Sequence, residues 1–311
     1  MDFREAELIT AVAEYGNITK AAQALYMSQP ALSHYVNKVE SRLGVKLFDR
    51  STNPLTLTFA GERYMETVGE MIRMNEQLTR QFRDISQNMT GRLHLGIPRE
   101  RGAYMLPEIL LQFRARYPGI ELKVFTANSQ ELQDTLRKGR IDLMILPAYE
   151  PESNQEFASE VLFQEELLLV GNRSMLDEGL FLPNRPDTVD LGRFGGMPFY
   201  LLYESHASRQ TANQLFRQHR IKPQIALESA SNITCCRLAA VGLGFAIVPE
   251  LTCRLVQTVP GEVRCHLGVP AVTWPIAAYW RTNAYLGKVE RDLISLIREQ
   301  FSNMQKFAYT I

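Results

Sequence analysis

Apolar residues near the start of this 311-residue chain recur every three or four positions, which is the period of an amphipathic α-helix. The pattern predicts a first helix over residues 3–14 and a short second helix, KAAQAL, after the capping residues Asn17 and Thr19. Ser28 is predicted to cap a third helix, whose first turn tolerates Pro30 because an N–H there would have no helical partner. The chain therefore opens with three helices, the last two joined by a turn of about three residues.

The predicted third helix has one apolar and one polar face. Its inward residues are Ala31, Leu32, Val36 and Val39, and its outward polar residues are Ser28, Gln29, Ser33, His34, Asn37 and Lys38. A short helix, a tight turn and a second helix of this kind can form a helix-turn-helix, in which the second helix lies in the DNA major groove. Serine and glutamine can bond base edges or phosphates, and lysine and histidine can contact phosphate. An ordinary helical hairpin with a solvated polar face fits the same pattern.

A small β-wing is predicted after the third helix. Gly44 ends that helix, and Val45, Leu47 and Phe48 are expected to pack against it. The segment LTLT, which follows an Asn-Pro pair, alternates apolar and polar residues as a half-buried strand does. The wing would therefore lie beside the three helices.

A long helix is predicted from Thr58 to about Met89, a stretch that contains no proline. Its seam residues are spaced alternately by four and three, and they are Tyr64, Val68, Met71, Asn75, Leu78, Phe82, Ile85 and Met89. A seam kept over more than three heptads favours the pairing of two such helices in a dimer, with Asn75 helping to set the register. A single amphipathic helix lying on its own domain is the alternative.

From Gly91 onward, strand patterns alternate with helix patterns. RLHLGI, IELKVFT and IDLMILP are predicted strands, with the helices MLPEILLQFRARYP and SQELQDTLRKG between them. A second set has the strands EELLLVG, FYLLY, QIALE and FAIVP, helices near 208–219 and 231–241, and a loop-rich stretch over 171–198. A last strand, WPIAAYW, and a helix from about Ala284 to Phe301 are expected to return to the first lobe. Repeated β-α-β units predict two α/β lobes with a mostly parallel sheet.

Composition limits the function classes less than the pattern does. The 34 basic and 34 acidic side chains cancel, so the net charge gives no hint of a polyanionic partner. The start of the chain lacks the apolar stretch of a signal peptide, and no stretch suits a membrane span, so we expect a cytoplasmic protein without a membrane partner. No GxSxG, HExxH, Walker or metal-ligand spacing occurs, so neither an enzyme nor a cofactor is predicted.

The four cysteines, Cys235, Cys236, Cys253 and Cys265, lack the paired spacing of a metal site. Buried free thiols in a reducing compartment are the simpler interpretation. The adjacent pair Cys235-Cys236 could also be a redox sensor. A sensor would need a thiolate stabilised by nearby positive charge, for which Arg237 is the only local candidate in the sequence.

The segment NITKAAQALYMSQPALSHYVNKVESRLGVKLFDR, followed by LTLTFAG, closely resembles the N-terminal domain of LysR-type transcriptional regulators. GRLHLGI, LPEILLQFRARYPGIELKV, LRKGRIDLMI and AAVGLGFAIVP resemble the rest of that family more loosely. The resemblance implies an α plus α/β fold with a winged helix-turn-helix DNA-binding domain (1–58), a linker and dimerisation helix (59–89), and a two-lobed, periplasmic-binding-protein-like effector domain (90–311). Lobe I would comprise about 90–160 and 268–311, and lobe II about 161–267.

The resemblance also implies a DNA-binding surface on the helix-turn-helix and the wing. Its candidate residues are Thr19, Ser28, Gln29, Pro30, Ser33, His34 and Lys38, together with Arg50 in the wing, where it could hold phosphate near the minor groove. Residues 1–60 are close to electrically neutral, so we expect modest nonspecific affinity. Phosphate contacts would then come from a few placed side chains and from helix N-termini.

A small-molecule effector is expected in the cleft between the two C-terminal lobes. The candidate loops span 98–102, 128–130, 202–205 and 229–231, and the candidate residues are Pro98, Arg99, Arg101, Asn128, Ser129, Tyr203 and Ser231. The family commonly has Ser or Thr where Ser129 stands, and its hydroxyl and the adjacent amides could bind a carboxylate. In the first loop, Arg99, Glu100 and Arg101 replace the usual small hydroxyl residue. An arginine there could pair with an anionic effector, and a surface ion-pair cluster is the alternative.

The resemblance predicts a LysR-type DNA-binding transcriptional regulator, a dimer or tetramer, controlled by an effector in the C-terminal cleft. Its partners would be a double-stranded DNA operator, the effector and further copies of the chain, with RNA polymerase as a further candidate. The alternative is a solute-binding protein with two α/β lobes. Such a protein would need a signal peptide and no helix-turn-helix, and this sequence has the opposite features.

Overall fold

The computed structural model describes residues 3–86, 89–148 and 156–302, and the chain forms two compact units, Met1–Ser86 and Gln87–Ile311. The first unit contains α1 (Phe3–Tyr15), α2 (Ile18–Ala24), α3 (Gln29–Leu43), β1 (Phe48–Asp49), β2 (Thr56–Leu57) and α4 (Phe59–Ser86). The predicted helix-turn-helix, wing and long helix are therefore confirmed in their chain order. No helix in the described ranges is both long and apolar enough to cross a membrane.

Side-chain caps set the start of α2 and α3. Asn17 accepts a hydrogen bond from the Lys20 N–H at 3.0 Å, so α2 begins at Ile18 and Thr19 lies inside its first turn. Ser28 accepts a hydrogen bond from the Ala31 N–H at 3.4 Å. Each cap satisfies an amide that has no partner within its helix, which lets two short helices begin on either side of a tight turn.

The apolar faces of α1 to α3 and the hairpin form one core. Its buried members are Leu8, Ile9, Val12, Ala21, Ala22, Leu32, Val36, Val39, Leu47 and Phe48. Helix α3 ends at Gly44, whose φ of 71° lies in the left-handed region that glycine adopts without strain. Val45, directly after this cap, is exposed, so the expectation that it packs against α3 is wrong. The chain turns away from the core before it returns at Leu47.

Helix α4 begins where the Thr58 Oγ1 accepts a hydrogen bond from the Gly61 N–H at 3.1 Å. The helix ends at Ser86, so Met89 lies beyond it, and residues 87–88 and the side chain of Ile85 lie outside the described part of the chain. Val68 is buried, whereas Leu78 and Phe82 are 49% and 60% exposed. Val68 therefore packs within its own unit, whereas Leu78 and Phe82 face solvent, and Met89 is partly buried against the core of the second unit.

The second unit alternates strands and helices along the chain. Its elements are β3 (Gly91–Gly96), α5 (Arg99–Arg116), β4 (Ile120–Phe125), α6 (Ser129–Arg137), β5 (Leu143–Pro147), β6 (Phe157–Asn172), β7 (Phe181–Leu182), β8 (Arg185–Val189), β9 (Pro198–Leu202), α7 (Ala207–Gln218), β10 (Gln224–Ser229), α8 (Asn232–Ala240), β11 (Ala246–Pro249), α9 (Glu250–Leu255), β12 (Glu262–His266), β13 (Thr273–Arg281) and α10 (Lys288–Ser302). The loop-rich stretch holds β7 and β8, and α9 and β12 are further elements that the sequence pattern did not predict.

The main sheet has the strand order β4-β3-β5-β13-β6-β12-β8-β7, and β11 also pairs with β6. Strand β3 is parallel to β4 and β5, but β13 is antiparallel to β5 and β6, and β6 is antiparallel to β11 and β12. The prediction of a mostly parallel sheet is therefore wrong. Strand β13, which comes near the end of the chain, lies between β5 and β6 and runs antiparallel to both, so the sheet is not built only from β-α-β units.

Strand β6 is 16 residues long and belongs to both lobes. Its residues 157–166 pair with β13. Its residues 167–170 pair with β11, and its residues 168–172 pair with β12. The predicted strand EELLLVG is only its second half. Lobe I is thus formed by β3 to β5, the first half of β6 and β13, with α5, α6 and α10, and lobe II is formed around the second half of β6. The two lobes meet where β6 passes from one to the other.

Candidate DNA-binding surface and effector cleft

Helix α3 carries its polar residues on the side away from the core. Gln29, Pro30, His34 and Lys38 are exposed, and Ser33 is half-buried. Residues four apart on a helix lie above one another, so Gln29 and Ser33 form one row and Pro30, His34 and Lys38 form the next. The structure therefore places five of the candidate DNA-binding residues on one continuous surface.

Two further candidates lie at the starts of helices. Thr19 is exposed in the first turn of α2, and Ser28 is exposed at the cap of α3. The Ser28 hydroxyl is already engaged by the Ala31 N–H, so this side chain has a structural role whether or not DNA is bound. A helix N-terminus with exposed polar residues is also suited to phosphate.

Arg50 lies directly after β1, beside α3. Its Nη2 donates to Asn37 Oδ1 at 2.6 Å and lies 3.4 Å from Glu40 Oε2. The sequence suggested an arginine in the wing that could hold phosphate, but the side chain is tied to α3 by these two contacts. Because 43% of it remains exposed, a phosphate could still reach the guanidinium. Its first role in this structure is to join the hairpin to α3.

Glu40 is a buried carboxylate that the sequence pattern did not single out. Its Oε1 accepts hydrogen bonds from the Leu47 and Phe48 N–H groups at 2.9 and 3.3 Å, and its Oε2 lies 2.8 Å from Lys46 Nζ. Burial alone would raise its pKa, but the bonds from Lys46, Leu47 and Phe48 outweigh burial and hold the pKa below its ordinary value. Glu40 therefore fixes the strand that leads into the wing.

Several basic side chains of the first unit are engaged in ion pairs with its own carboxylates. Lys46 and Arg50 contact Glu40, and Arg42 pairs with Glu5 at 2.7 Å. Lys20 and Lys38 have no ion pair with any residue in the described ranges. Both are exposed, one on α2 and one on α3, so both are available to phosphate on this surface.

A cavity of about 880 Å³ lies between the two lobes of the second unit. Six of the seven candidate effector residues line it, namely Pro98, Arg99, Arg101, Asn128, Ser129 and Ser231. Tyr203 does not line this cavity and is about half exposed, so it stands apart from the other candidates. A smaller cavity of about 520 Å³ beside β7, β8 and β12 contains none of them.

The N-terminus of α6 opens into the cleft. Asn128 caps this helix by accepting a hydrogen bond from the Glu131 N–H at 2.9 Å, so Ser129 is the first helical residue rather than the cap. The Ser129 hydroxyl makes no hydrogen bond to any described residue. A free hydroxyl beside first-turn amides is an arrangement that can bind an anion.

The Arg-Glu-Arg segment forms the first turn of α5, so the expectation of a loop over 98–102 is wrong beyond Pro98. An acidic residue in a first turn interacts favourably with the helix dipole, and Glu100 stands there. Arg99 is exposed, and it has no ion pair among the described residues. The alternative of a surface ion-pair cluster therefore does not describe this turn.

Arg101 instead enters a buried cluster at the base of the cleft. Its Nη2 lies 2.8 Å from Glu165 Oε2, and the two side chains are only 9% and 1% exposed. Glu165 also accepts hydrogen bonds from Trp274 Nε1 at 2.9 Å and from the Leu251 N–H at 3.4 Å. Arg101 Nη1 is buried and has no hydrogen-bond partner among the described residues. Glu165 thus joins α5, β6 and β13 to α9, at the point where the lobes meet.

Glu100 makes a second contact between the lobes. Ser231 Oγ donates to Glu100 Oε1 at 2.7 Å, and the Ile233 N–H donates to the same oxygen at 3.4 Å. Ser231 also caps α8 by accepting a hydrogen bond from the Thr234 N–H at 3.2 Å. The candidate Ser231 is therefore occupied by a carboxylate of the chain itself.

The sequence pattern also missed Glu165, Trp274 and His206, all of which line the cleft. Glu165 could have been noticed, because two adjacent glutamates precede the apolar run LLLV and one of them must point toward the sheet interior. Nothing in the local pattern singles out Trp274 or His206.

The four cysteines are free and buried, as the simpler interpretation predicted. Burial, and after it the nearby Glu100 carboxylate, raises the pKa of Cys235 to about 12. Burial also raises the pKa of Cys265 to about 12, and a hydrogen bond with Cys236 together with burial raises that of Cys253. Since the thiolate is the reactive form, none of these three thiols is set up for redox sensing at neutral pH.

Two family models match the chain. The helix-turn-helix model described as "Bacterial regulatory helix-turn-helix protein, lysR family" matches residues 3–62, and "LysR substrate binding domain" matches residues 86–302. The chain belongs to the LysR family. This LysR-type transcriptional regulator carries a DNA-binding unit and an effector-binding domain, and the solute-binding alternative is not favoured.

Full-length relatives agree with this assignment. The HTH-type transcriptional regulator YcgK of Bacillus subtilis is 32% identical over 312 residues, covering 96% of this chain and 94% of the relative. The hydrogen peroxide-inducible genes activator of Haemophilus influenzae is 27% identical over 307 residues, covering 98% of both.

Solved structures of LysR-family proteins have the same fold. A full-length OxyR variant from Pseudomonas aeruginosa has a TM-score of 0.71 at 22% identity, covering 96% of this chain and 94% of that one. Full-length CbnR in complex with its target DNA has a TM-score of 0.66 at 22% identity, covering 96% of this chain and 100% of CbnR. The predicted fold class is therefore confirmed.

Proposed function

We propose that this regulator recognises operator DNA by placing α3 in the major groove, with Gln29 and Ser33 at the base edges. The observation that carries the proposal is the continuous polar surface of α3, whose opposite face is fully buried at Leu32 and Val36. A helix held in this way keeps its outward side chains in fixed positions, which direct base recognition requires. His34 and Lys38, one row away, would then face the phosphate backbone.

The charge distribution of the first unit supports a small number of phosphate contacts. Lys20 and Lys38 are exposed and carry no ion pair in the described part of the chain. Each neutralised phosphate steepens the dependence of log affinity on log salt by about 0.9. We therefore expect base contacts to supply most of the affinity for the operator, and binding to unrelated DNA to be weak.

The test measures the affinity of the full-length protein for two duplexes at one salt concentration, one selected by the protein from random sequence and one scrambled. Gln29→Ala should weaken binding to the selected duplex about 5- to 150-fold, because a bidentate base contact is worth about 1–3 kcal/mol. Binding to the scrambled duplex should not change. Lys38→Gln should weaken both equally, since phosphate is common to both.

Gln210→Ala is the matched control, because it makes the same change at an exposed position of α7 in the second unit. It should alter neither affinity. If Gln29→Ala leaves the ratio of the two affinities unchanged while the protein still unfolds cooperatively, α3 does not read bases through Gln29.

We propose that two copies of α4 pair through its second half. Leu78 and Phe82 lie in the heptad seam and are exposed in a single chain, and Met74 beside them is 69% exposed. Exposed apolar residues in a heptad pattern are typical of a coiled-coil contact. A dimer would also present two α3 helices to the two half-sites of an operator.

We propose that the cleft binds an anionic effector in the cytoplasm. Three features support this class: the guanidinium of Arg99, which has no ion pair among the described residues, the free Ser129 hydroxyl at the start of α6, and Arg101, whose Nη1 has no acceptor there. The name of the Haemophilus influenzae relative gives induction by hydrogen peroxide, a response that the buried thiols of this chain do not favour. The raised pKa values of Cys235, Cys253 and Cys265 keep those thiols protonated.

A further inference from the structure

The N-terminus of α8 in lobe II already holds a carboxylate, and that carboxylate comes from lobe I. Glu100, in the first turn of α5, accepts hydrogen bonds from Ser231 Oγ at 2.7 Å and from the Ile233 N–H at 3.4 Å. Helix α8 spans nine residues, Asn232–Ala240, and its first-turn amides have no acceptor within the helix. The amides and the helix dipole both favour a negative group at this position.

Ser231 is oriented for this role by its second hydrogen bond. Its oxygen accepts from the Thr234 N–H at 3.2 Å, which leaves the hydroxyl hydrogen free to donate outward to Glu100. The Ser231 hydroxyl and the Ile233 N–H thus converge on one carboxylate oxygen, Oε1 of Glu100. The same two groups could donate to a carboxylate oxygen from any source.

A second, independent feature of the same cavity indicates a missing acceptor. The Arg101 side chain is nine-tenths buried, and only its Nη2 is paired among the described residues, with Glu165. Its Nη1 is buried without any partner there, which is costly for a charged donor. Arg101, Ser231 and Ile233 all line the cavity. The wall of the cavity therefore holds a buried cation with one unpaired nitrogen among the described residues, in addition to a donor set that the chain itself fills.

We infer that the effector carries a carboxylate that replaces the Glu100 carboxylate at the N-terminus of α8. This inference rests on the proposed function of the cleft as the effector site. Glu100 occupies the position when the effector is absent and thereby ties α5 of lobe I to α8 of lobe II. The effector breaks that tie, because both carboxylates cannot accept the same two hydrogen bonds. A neutral ligand competes for these donors more weakly, because its hydrogen bonds lack the charge of a carboxylate.

This exchange couples binding to a change between the lobes. A ligand shifts a conformational equilibrium only by its difference in affinity for the two states. A carboxylate effector binds at α8 only in the state in which Glu100 has left, so its whole interaction with Ser231 and Ile233 favours that state. Glu100 also lowers the apparent affinity for the effector, because part of the binding free energy is used to displace it.

The test uses chemical rescue of Glu100→Ala in the full-length protein. The readout is hydrogen exchange, followed by mass spectrometry, at the Ile233 amide, which has no acceptor within its helix. The probes are propionate, propionamide and inorganic phosphate at equal ionic strength. Exchange at Ile233 should be at least tenfold faster in Glu100→Ala than in the wild type. Propionate should restore the slow rate in the variant, and propionamide should not.

Glu131→Gln is the matched control, because Glu131 is another carboxylate that lines the cavity but accepts no hydrogen bond from α8 among the described residues. In this variant the Ile233 amide should exchange as slowly as in the wild type, and propionate should not change its rate. If Glu100→Ala does not unfold cooperatively, Glu100→Gln takes its place. Its Ile233 amide should exchange at a rate between those of the wild type and Glu100→Ala. A rate equal to that of the wild type would overturn the inference.

The outcomes separate the inference from the proposed function. Unchanged exchange in Glu100→Ala, or equal effects of propionate and propionamide, would refute the role of the α8 N-terminus as a carboxylate site. Rescue by phosphate but not propionate would refute the carboxylate class. If no carboxylate compound raises the thermal stability of the full-length protein, the proposed effector site in the cleft fails, while the exchange result at Ile233 still stands.

Discussion

Replacing Glu40 by Gln tests whether a buried carboxylate holds the wing onto the helix-turn-helix. Glu40 accepts hydrogen bonds from the Leu47 and Phe48 N–H groups through one oxygen and contacts Lys46 through the other. Glutamine has nearly the same size, so it removes the charge without opening a cavity. The variant should therefore be folded at neutral pH but less stable in its first unit.

The size of the effect follows from these contacts. A hydrogen bond to a charged acceptor is worth about 1.5–3 kcal/mol, against about 0.5–1.5 kcal/mol for a neutral one, so the two backbone bonds lose about 2 kcal/mol together. The contact with Lys46 adds about 0–1 kcal/mol, because the lysine side chain is 67% exposed. With a urea dependence of about 1 kcal/mol/M for a unit of this size, the unfolding midpoint should fall by about 2–3 M.

Two spectroscopic signals separate the units in the full-length protein. Both tryptophans, Trp274 and Trp280, lie in the second unit, so their fluorescence follows that unit, whereas far-UV circular dichroism follows the helices of both. Glu40→Gln should shift the circular dichroism transition and leave the fluorescence transition in place. Glu14→Gln, at an exposed position of α1, is the control and should shift neither.

The pH dependence gives a second check on the same carboxylate. The folded-state pKa of Glu40 lies below its ordinary value of 4.5, so its contribution to stability is present above pH 4.5 and is lost as the pH falls through the folded pKa. The difference between wild type and variant should be constant from about pH 6 to 8 and should shrink below about pH 4.5. A difference that is absent at neutral pH, or that grows in acid, would refute this account of Glu40.

Two further predictions concern the proposed oligomer and the effector. Leu78→Glu should dissociate the dimer in sedimentation experiments at micromolar concentration, because it places a charge in the exposed half of the α4 seam, whereas Thr79→Glu, one residue out of the seam, should not. A Leu78→Glu dimer as tight as the wild type would exclude this seam as the contact. Ser129→Ala should weaken carboxylate binding, because the hydroxyl lies at the start of α6, so the half-saturating ligand concentration in a thermal-shift titration should rise about tenfold. DNA binding should not change. An unaltered ligand titration would remove Ser129 from the site.

The helix-turn-helix could be predicted from the sequence because its determinants are local. Asn17, Ser28 and Gly44 mark helix ends by side-chain caps and a left-handed φ, and each acts within three or four residues. The apolar period then fixes which face is buried. Outward residues such as Gln29 follow from that face without knowledge of the rest of the chain.

The sheet and the cleft depend on long-range contacts that a local pattern does not contain. Strands β6 and β13 look like any buried strand, and only their pairing across more than 100 residues makes them antiparallel. The first turn of α5 looks like a polar loop. Its helical state is stabilised by contacts from Glu100 to Ser231, 131 residues away, and from Arg101 to Glu165, 64 residues away.

Net charge is a poor guide to this protein because ion pairs decide which charges are available. Arg42, Arg50 and Arg101 are held by Glu5, Glu40 and Glu165 respectively. Lys20, Lys38 and Arg99 have no ion pair among the described residues, and they lie on the proposed DNA-binding surface or in the cleft. A chain of zero net charge can therefore bind anions at two places, because its acidic residues neutralise structural arginines and leave the cations at these sites free. For the same reason, removing a structural acid such as Glu165 would release a buried charge rather than create a better anion site, since an unpaired buried arginine destabilises the fold.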